Sequence, residues 1–231
     1  YETEVPEYFD YVVLNQGYLP FFITKKTTSS ENFRMRNTRT SESTIDNTYT
    51  ISGLVNLNRW VIKDVPSLKE ESYTTSLENH RSKIEFQLSS INYPNQPIQL
   101  VMESWQKVTK DFMESENFGA EINKNNGWLD DDIKAIVGDK KDPLEKAKKI
   151  YTYVQENFTC KQHTGKYMST GLKNLFKTKS GNVADINLLL MAMLKHEKIE
   201  CYPILLSTRS HGVTNPVYPL VDRFNYVNCV A

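Results

Sequence analysis

The chain has 231 residues, and 28 Lys and Arg balance 28 Asp and Glu, so its formal net charge at pH 7 is zero. This balance argues against nucleic-acid and membrane-surface partners, because both usually need a basic face. No window approaches the roughly 18 consecutive apolar residues of a membrane-spanning helix, and residues 1–15 lack the basic start and apolar run of a signal peptide. Because the chain opens with Tyr1, we expect a fragment or a processed product.

The first 97 residues alternate between apolar and polar side chains. Large apolar residues recur on one parity at Tyr49, Ile51, Val55 and Leu57, and again at Ile84, Phe86 and Leu88. A period of two predicts strands with one buried and one solvated face. The polar stretch 27–48 fits either a strand pair or a loop. We expect residues 1–97 to form an antiparallel, sandwich-like β domain that is incomplete at its N-terminus.

Helical spacing takes over from Ile98. Steps of three and four predict one helix face at Ile98, Val101, Trp105, Val108 and Phe112. Asp142-Pro143 predicts the start of a second helix, with Asp as N-cap and Pro at the first helical position. The apolar face of that helix is expected at Ala147, Ile150, Tyr151, Val154 and Phe158.

A third helix, over residues 183–195, is apolar on nearly every side, which is typical of a helix in the middle of a domain. We expect Asn182 to be its N-cap, because the Asn side chain can accept from the N–H of Asp185. Strand-like runs follow at 202–206 and 224–227. Two strands do not make a stable sheet alone. We therefore expect residues 98–231 to be a helical core that is incomplete at its C-terminus, in a chain of the α+β class.

The sequence offers little for a cofactor or a metal. It contains neither GxGxxG nor GxxxxGK[ST], the glycine-rich phosphate-binding loops, and no GxSxG. Cys160, Cys201 and Cys229 are widely spaced and form no CxxC pair. We expect no cofactor, no metal site, and three ordinary unpaired cysteines.

The segments 180–187, 201–209 and 224–227, with the apolar helix between the first two, resemble the transglutaminase-like superfamily. That superfamily shares the papain-type catalytic core. In it a G-x-C-x-D turn starts the central helix, and a His lies on a later strand within an FNH-like motif. The N-terminal half is similar to a β domain of unknown function that precedes such cores in large exported bacterial proteins.

Aligned residue by residue, the catalytic Cys position holds Val183 and the His position holds Tyr226, while the acidic third member lies beyond Ala231 or is absent. A Cys in the first turn of a buried helix is activated by free N–H groups and by the helix dipole. Val has no nucleophilic atom, and a Tyr side chain, with an unperturbed pKa near ~10, is a poor base at neutral pH. The resemblance therefore implies an enzyme fold without catalytic residues.

These substitutions favour a binding or scaffolding module for a peptide or a cell-envelope glycan, located by resemblance in the periplasm or cell envelope. The candidate binding residues are Asn182, Asp185, Arg209 and Tyr226. Tyr226 offers a ring for stacking and a hydroxyl, and Arg209 suits a carboxylate. Two alternatives stay open: an active cysteine peptidase or transglutaminase that uses a non-aligned Cys, and a purely structural domain without a ligand cleft.

Overall fold

The computed structural model describes residues 1–36 and 48–231. These residues form two compact units, Tyr1–Glu103 and Ser104–Ala231. In the described part of the chain, every helix of the α type lies in the second unit, and the sheets of the first unit are antiparallel. The α+β class expected from the sequence is confirmed. The domain boundary at residue 97 stays a prediction.

The first unit contains two three-stranded sheets within the described residues. Its strands are β1 (Glu2–Pro6), β2 (Phe9–Gln16), β3 (Ile23–Arg36), β4 (Thr48–Val61), β5 (Lys83–Ile91) and β6 (Gln99–Leu100). The strand order is β1-β4-β3 in one sheet and β2-β5-β6 in the other. The predicted alternation thus does correspond to antiparallel strands, because each neighbouring pair in both sheets runs antiparallel.

Aromatic rings join the two sheets of this unit. Trp60 of β4 packs edge-on against Phe86 of β5, with 5.8 Å between the ring centroids. Tyr8 lies between β1 and β2 and contacts Phe33 of β3 with a centroid distance of 5.9 Å. This contact between sheets is what a sandwich-like arrangement requires. Of the ambiguous polar stretch, residues 27–36 and Thr48 lie in the paired strands β3 and β4, and residues 37–47 lie outside the described residues.

The second unit is mostly helical. Its helices are α1 (Trp105–Glu114), α2 (Gly119–Asn123), α3 (Asp130–Val137), α4 (Pro143–Asn157), α5 (Leu172–Thr178) and α6 (Val183–His196). Its strands are β7 (Thr159–Gln162), β8 (Ser180–Asn182), β9 (Tyr202–Leu206) and β10 (Tyr226–Val230). β7 pairs with β8 in parallel, and β9 pairs with β10 antiparallel. Among the described residues, no helix has the length and apolar content to cross a membrane.

Helix α6 forms the centre of this unit. Ten of its 14 residues are buried, and it packs against α2, α4, α5 and β10. A helix that is surrounded on all sides needs apolar residues on all sides, so the predicted buried helix is confirmed. The start of α4 is confirmed as well: the Asp142 side chain accepts a hydrogen bond from the Glu145 N–H at 3.0 Å, and Pro143 is the first helical residue.

The predicted start of the first helix is wrong. α1 begins at Trp105 because the Ser104 side chain caps it, accepting from the Lys107 N–H at 3.2 Å. The residues after Ile98 instead pair with β5 as strand β6. The helical spacing of Ile98 and Val101 is therefore a coincidence, because both residues lie before α1.

One residue of the predicted apolar face of α4 is also misplaced. Ile150 and Val154 are buried, whereas Tyr151 is 55% exposed. Successive residues of an α-helix are separated by about 100° around the axis, so the residue after Ile150 points away from the core. The second strand of the C-terminal pair begins at Tyr226, two residues later than the apolar run predicted.

Candidate functional site

The first turn of α6 forms the base of the candidate site. Val183 is its first residue and is 6% exposed. Asn182 is the N-cap: its Oδ1 accepts from the Asp185 N–H at 2.7 Å, and Asp185 Oδ2 accepts from the Asn182 N–H at 2.8 Å. This reciprocal capping box satisfies backbone donors of the first turn. The cap expected from Asn182 is confirmed.

Asp185 also holds the neighbouring loop against the helix. The residue is fully buried. Its Oδ1 accepts from the backbone N–H groups of Ser169 at 2.9 Å and Thr170 at 3.1 Å, and its Oδ2 accepts from the Ser169 hydroxyl at 2.6 Å. The carboxylate is therefore occupied by four protein donors, and the geometry gives Asp185 a structural role in the site.

Gly165, in the loop between β7 and α5, links the two ends of the candidate site. Its N–H donates to the Asn225 carbonyl at 2.6 Å, and its backbone forms a parallel bridge with Tyr226. A Cβ on Gly165 would lie 3.9 Å from Asn182 Nδ2, and its φ of 135° is in the region that favours glycine. The start of α6 and the start of β10 therefore meet at Gly165.

Tyr226 is the first residue of β10 and is half-buried. Its strand is tied to α6 one turn after Val183, because Asn187 Nδ2 donates to the Val227 carbonyl at 2.8 Å. Within residues 1–36 and 48–231, the Tyr226 hydroxyl has no hydrogen-bond partner. The hydroxyl is therefore available to a ligand.

Arg209 lies at the same end of the β9–β10 pair. The residue before it is clamped: the Thr208 N–H donates to Asn225 Oδ1 at 2.8 Å, and Asn225 Nδ2 donates to Thr208 Oγ1 at 2.8 Å. Because Asn225 directly precedes Tyr226, this clamp brings the Arg209 turn close to the start of β10. Arg209 is exposed, and the described residues provide it with no ion-pair partner.

Lys166 and Tyr167 also border the site, and no sequence pattern had pointed to them. Lys166 Nζ donates to the carbonyls of Val221 at 2.8 Å and Phe224 at 3.3 Å, so it fixes the segment that leads into β10. The Tyr167 ring stacks on Phe112 with a centroid distance of 5.3 Å and is 38% exposed. Both residues stand in a polar loop without periodicity, so only their three-dimensional contacts reveal them.

The segment that enters α6 is anchored by Lys179. This residue adopts a left-handed conformation with φ of 55° and ends α5. Its Nζ lies 3.6 Å from the Phe176 ring centroid and 4.5 Å from that of Phe158, and it donates to the Tyr153 hydroxyl at 2.8 Å. An ammonium over aromatic faces is attracted by the ring quadrupoles. Lys179 thus fixes the backbone directly before β8.

Gly181, in β8, is the close-packed position of the turn. A Cβ there would lie 2.7 Å from Leu175 Cδ1 and 2.8 Å from Asp185 Cβ. Real Cβ atoms do not approach that closely, because interiors are already packed at crystal density. The close approach of β8 to the side chain of Asp185 therefore requires glycine at this position.

The three cysteines occupy two regions of the second unit. Cys160 lies on β7 opposite Gly181, and its thiol donates to the Gln162 carbonyl at 3.2 Å. Cys201 is 3% exposed, and its thiol donates to the Met191 carbonyl at 3.6 Å. At about 1.5 Å of rise per residue, Met191 lies about 12 Å along α6 from Val183. Residues 1–36 and 48–231 contain no group of His, Cys, Asp and Glu that could hold a metal ion.

Comparison with known proteins gives one family match and one similar solved structure. Residues 132–220 match the sequence model of the transglutaminase-like superfamily. No curated protein sequence matches the chain. The crystal structure of a "putative protease" from Parabacteroides distasonis has a similar fold, with a TM-score of 0.53 and 10% identity over 99% of this chain. This chain spans 37% of the length of that protein.

Residues 132–220 of the second unit thus match the transglutaminase-like superfamily, in agreement with the resemblance carried by residues 180–187 and 201–209. The matched range includes the capped start of α6 and Arg209, and it ends before Tyr226. At 10% identity the solved structure shows likeness of fold alone.

Proposed function

We propose that this protein is a catalytically inactive transglutaminase-like protein that acts as a binding or scaffolding module. The observation that carries the proposal is Val183 as the first residue of α6. The family resemblance assigns that position to the nucleophile, where free N–H groups and the helix dipole stabilise a thiolate. An isopropyl group at the same place has no atom that forms a covalent intermediate.

The position assigned to the general base supports the same proposal. Tyr226 supplies a phenol where the family has an imidazole, so it donates one hydrogen bond and offers a ring for stacking. Meanwhile Asn182 and Asp185 are fully engaged in capping α6 and in holding the loop at Ser169. The turn that would present a nucleophile is therefore fully capped, while position 183 has no nucleophilic atom.

The other cysteines are poorly placed to replace the nucleophile. Cys201 is buried about 12 Å along α6 from its first turn. Cys160 lies on strand β7 opposite Gly181 and not in the first turn of a helix, where the family resemblance places the nucleophile. Activity based on a non-aligned Cys is therefore the less favoured function, and the experiments below test it.

We propose a carboxylate-bearing peptide or cell-envelope glycan as the ligand, bound where Tyr226, Arg209 and Tyr167 surround the start of β10. Arg209 supplies a cation in the planar geometry that matches a carboxylate, and the two tyrosines supply stacking surfaces. Placement in the periplasm or cell envelope is part of the proposal and rests on the family resemblance. Fractionation of cells that express the natural gene tests that placement.

The binding experiment uses a soluble disaccharide-pentapeptide released from peptidoglycan, with the free disaccharide and the free pentapeptide as separate arms, in titration calorimetry. We expect binding of the whole fragment, with Arg209→Ala weakening it at least tenfold. Lys173→Ala, which removes an exposed cation from α5, is the matched control and should leave the affinity unchanged. Absence of heat in all three arms, or an unchanged affinity in Arg209→Ala, contradicts the proposed site.

The activity experiment follows the same fragment by mass spectrometry during long incubation. We expect neither amide cleavage nor acyl transfer, and we expect no cysteine that reacts with iodoacetamide at pH 6 faster than a free thiol. A single rapidly alkylated cysteine, or a cleaved fragment whose formation is lost in Cys160→Ala, establishes the cysteine enzyme instead. The double variant Val183→Cys with Tyr226→His should still lack strong activity. The third group of a triad orients the base, and the alignment finds no such group within residues 1–231.

A further inference from the structure

Cys201 and Cys229 form a pair at the end of α6 that is remote from Val183. In the β9–β10 ladder Cys229 lies opposite Pro203, and Val230 lies opposite Tyr202. Cys201 directly precedes β9, so the two cysteines are diagonal neighbours. Residues two apart on a strand share a face, and Cys201 therefore shares with Pro203 the face on which Cys229 lies.

Both side chains belong to the packed interior of the second unit. Cys201 is 3% exposed, and Cys229 is partly buried against the same core cluster. Val227, two residues before Cys229 and on the same face, is completely buried. The pair thus lies on the side of the β9–β10 sheet that packs on α6, with Cys229 at the border to solvent.

The two thiols are close enough for each to shift the pKa of the other. A hydrogen bond from the Cys229 thiol lowers the pKa of Cys201, and the charge of Lys195 adds to this effect against the opposing cost of burial. The same hydrogen bond, together with burial, raises the pKa of Cys229. The Cys201 thiol in turn donates to the Met191 carbonyl. Cys201 therefore lies between Cys229 at the edge of the sheet and the backbone of α6.

We propose that Cys201 and Cys229 are a reversible redox pair, which closes to a disulfide by exchange with a low-molecular-weight disulfide such as glutathione disulfide. One thiol loses its proton, and its sulfur attacks glutathione disulfide to give a mixed disulfide and one glutathione. The second thiol then loses its proton and attacks the protein sulfur of the mixed disulfide, which releases the second glutathione. The protein loses two electrons and two protons, and glutathione disulfide gains them.

The position of the pair at strand ends allows the bond to form. Diagonal neighbours in an antiparallel pair have Cα atoms about 7–8 Å apart, slightly more than the roughly 4.4–6.8 Å usual for a disulfide. Cys201 lies just outside β9, and Cys229 is the second-last residue of β10. Strand ends open more easily than ladder interiors, so we expect a relative movement of the two Cα atoms by about 1 Å to bring them into the disulfide range. The closed bond joins the start of β9 to the end of β10.

The test uses the full chain with Cys160→Ala, so that the pair contains the only thiols. After incubation of the native protein with glutathione disulfide, we expect an intact mass lower by two hydrogen atoms, no retained glutathione, and a peptide cross-linked through Cys201 and Cys229. Dithiothreitol should restore both thiols, and the oxidised form should melt at a higher temperature. The same reaction in 8 M urea gives the reference rate for the unfolded chain.

Further variants separate the pair from its individual cysteines. Cys229→Ser should form no intramolecular bond, and wild-type protein should give the same cross-linked peptide while Cys160 remains outside it. Two thiols that persist in the native protein, or a stable glutathione adduct without the cross-link, overturn the proposal. These outcomes do not depend on whether the protein binds a ligand near Tyr226 or whether it is an enzyme.

Discussion

Asn182 and Asp185 cap the same helical turn reciprocally, each side chain accepting the backbone N–H of the other at 2.7–2.8 Å. The pair flanks Val183, so the turn that presents this residue is fixed on both sides. The capping bonds of this turn therefore use no atom of the side chain at position 183. A helix start of this kind persists whether or not the protein performs chemistry there.

Removal of the Asp185 carboxylate should destabilise the second unit strongly. Asp185→Ala removes the acceptor of the buried Asn182 N–H and of the part-buried donors on Ser169 and Thr170, and a donor left unsatisfied in the interior costs about 1–3 kcal/mol. We expect the free energy of unfolding in urea to fall by at least about 3 kcal/mol. Asp185→Asn retains one acceptor oxygen and should lose less.

Asp131→Ala is the control for that prediction, because Asp131 is an exposed carboxylate in the first turn of α3. Its loss should cost no more than about 1 kcal/mol, the usual size of a helix-dipole interaction. Equal losses for the two alanine variants would show that Asp185 contributes only charge near a helix end.

Replacement of Tyr226 separates binding from packing. Since Tyr226 is half-buried and its hydroxyl is unpaired among the described residues, Tyr226→Ala should lower the free energy of unfolding by less than the ~3–5 kcal/mol of a core aromatic, while the affinity for the disaccharide-pentapeptide drops. Val227→Ala, at a fully buried neighbour, should cost more stability and leave the affinity unchanged. A loss of about 3–5 kcal/mol for Tyr226→Ala with unchanged affinity would support the purely structural domain.

The aromatic contacts of Lys179 should be measurable as stability. Lys179→Met keeps the aliphatic stem and removes the ammonium from the faces of Phe176 and Phe158, which should lower the free energy of unfolding by about 1–2 kcal/mol. Lys177→Met removes an exposed charge from the same helix and should change it by no more than about 0.5 kcal/mol. Similar effects of the two substitutions would assign the loss to the helix end and not to the rings.

We expect the ionisation of Tyr167 to lower the free energy of unfolding at alkaline pH. Burial, and secondarily the charge of Asp222, raises the pKa of its phenol above the ordinary 10.0. Between the unfolded and folded pKa values the folded chain holds a proton that the unfolded chain releases, so stability falls as pH rises. The stability that depends on the protonated Tyr167 phenol is fully present below pH 10.0 and is lost as the pH rises through the pKa of the folded state.

In urea titrations above pH 10.0, Tyr167→Phe should therefore lose less stability per pH unit than the wild type. The stability of each protein at pH 7 is its own baseline, because at that pH the Tyr167 phenol of the wild type is protonated in both the folded and the unfolded chain. Identical slopes for the two proteins would show that the ionisation of Tyr167 is not linked to folding.

Local signals in the sequence were enough to predict two of the caps in the second unit. Asp142 and Asn182 each act on a backbone N–H three residues ahead, so their role is contained within one turn. The start of α1 was mispredicted because Ile98 matched the helical step by chance, while Ser104 carried the actual cap. The apolar spacing continued by chance beyond the end of the helix, whereas the capping residue defines where the helix begins.

The remaining parts of the site depend on contacts between distant segments. Gly165 meets Tyr226 across 61 residues of chain, as the bridge between positions 165 and 226 shows. The diagonal placement of Cys201 and Cys229 depends on the register of β9 and β10. No spacing in the sequence encodes either relation, because each is set by how separate elements pack.

The crowding at Gly181 has a consequence for how sequences of this kind are read. Its missing side chain is required by Leu175 and Asp185, and Asp185 is required by the loop it holds. Two of the three fixed letters of the G-x-C-x-D signature are thus needed to build the turn, and only the middle one performs a reaction. A search pattern that scores all three letters therefore recognises the fold of the turn. Only the letter at position 183 tells whether the nucleophile of a hydrolase or transferase is present.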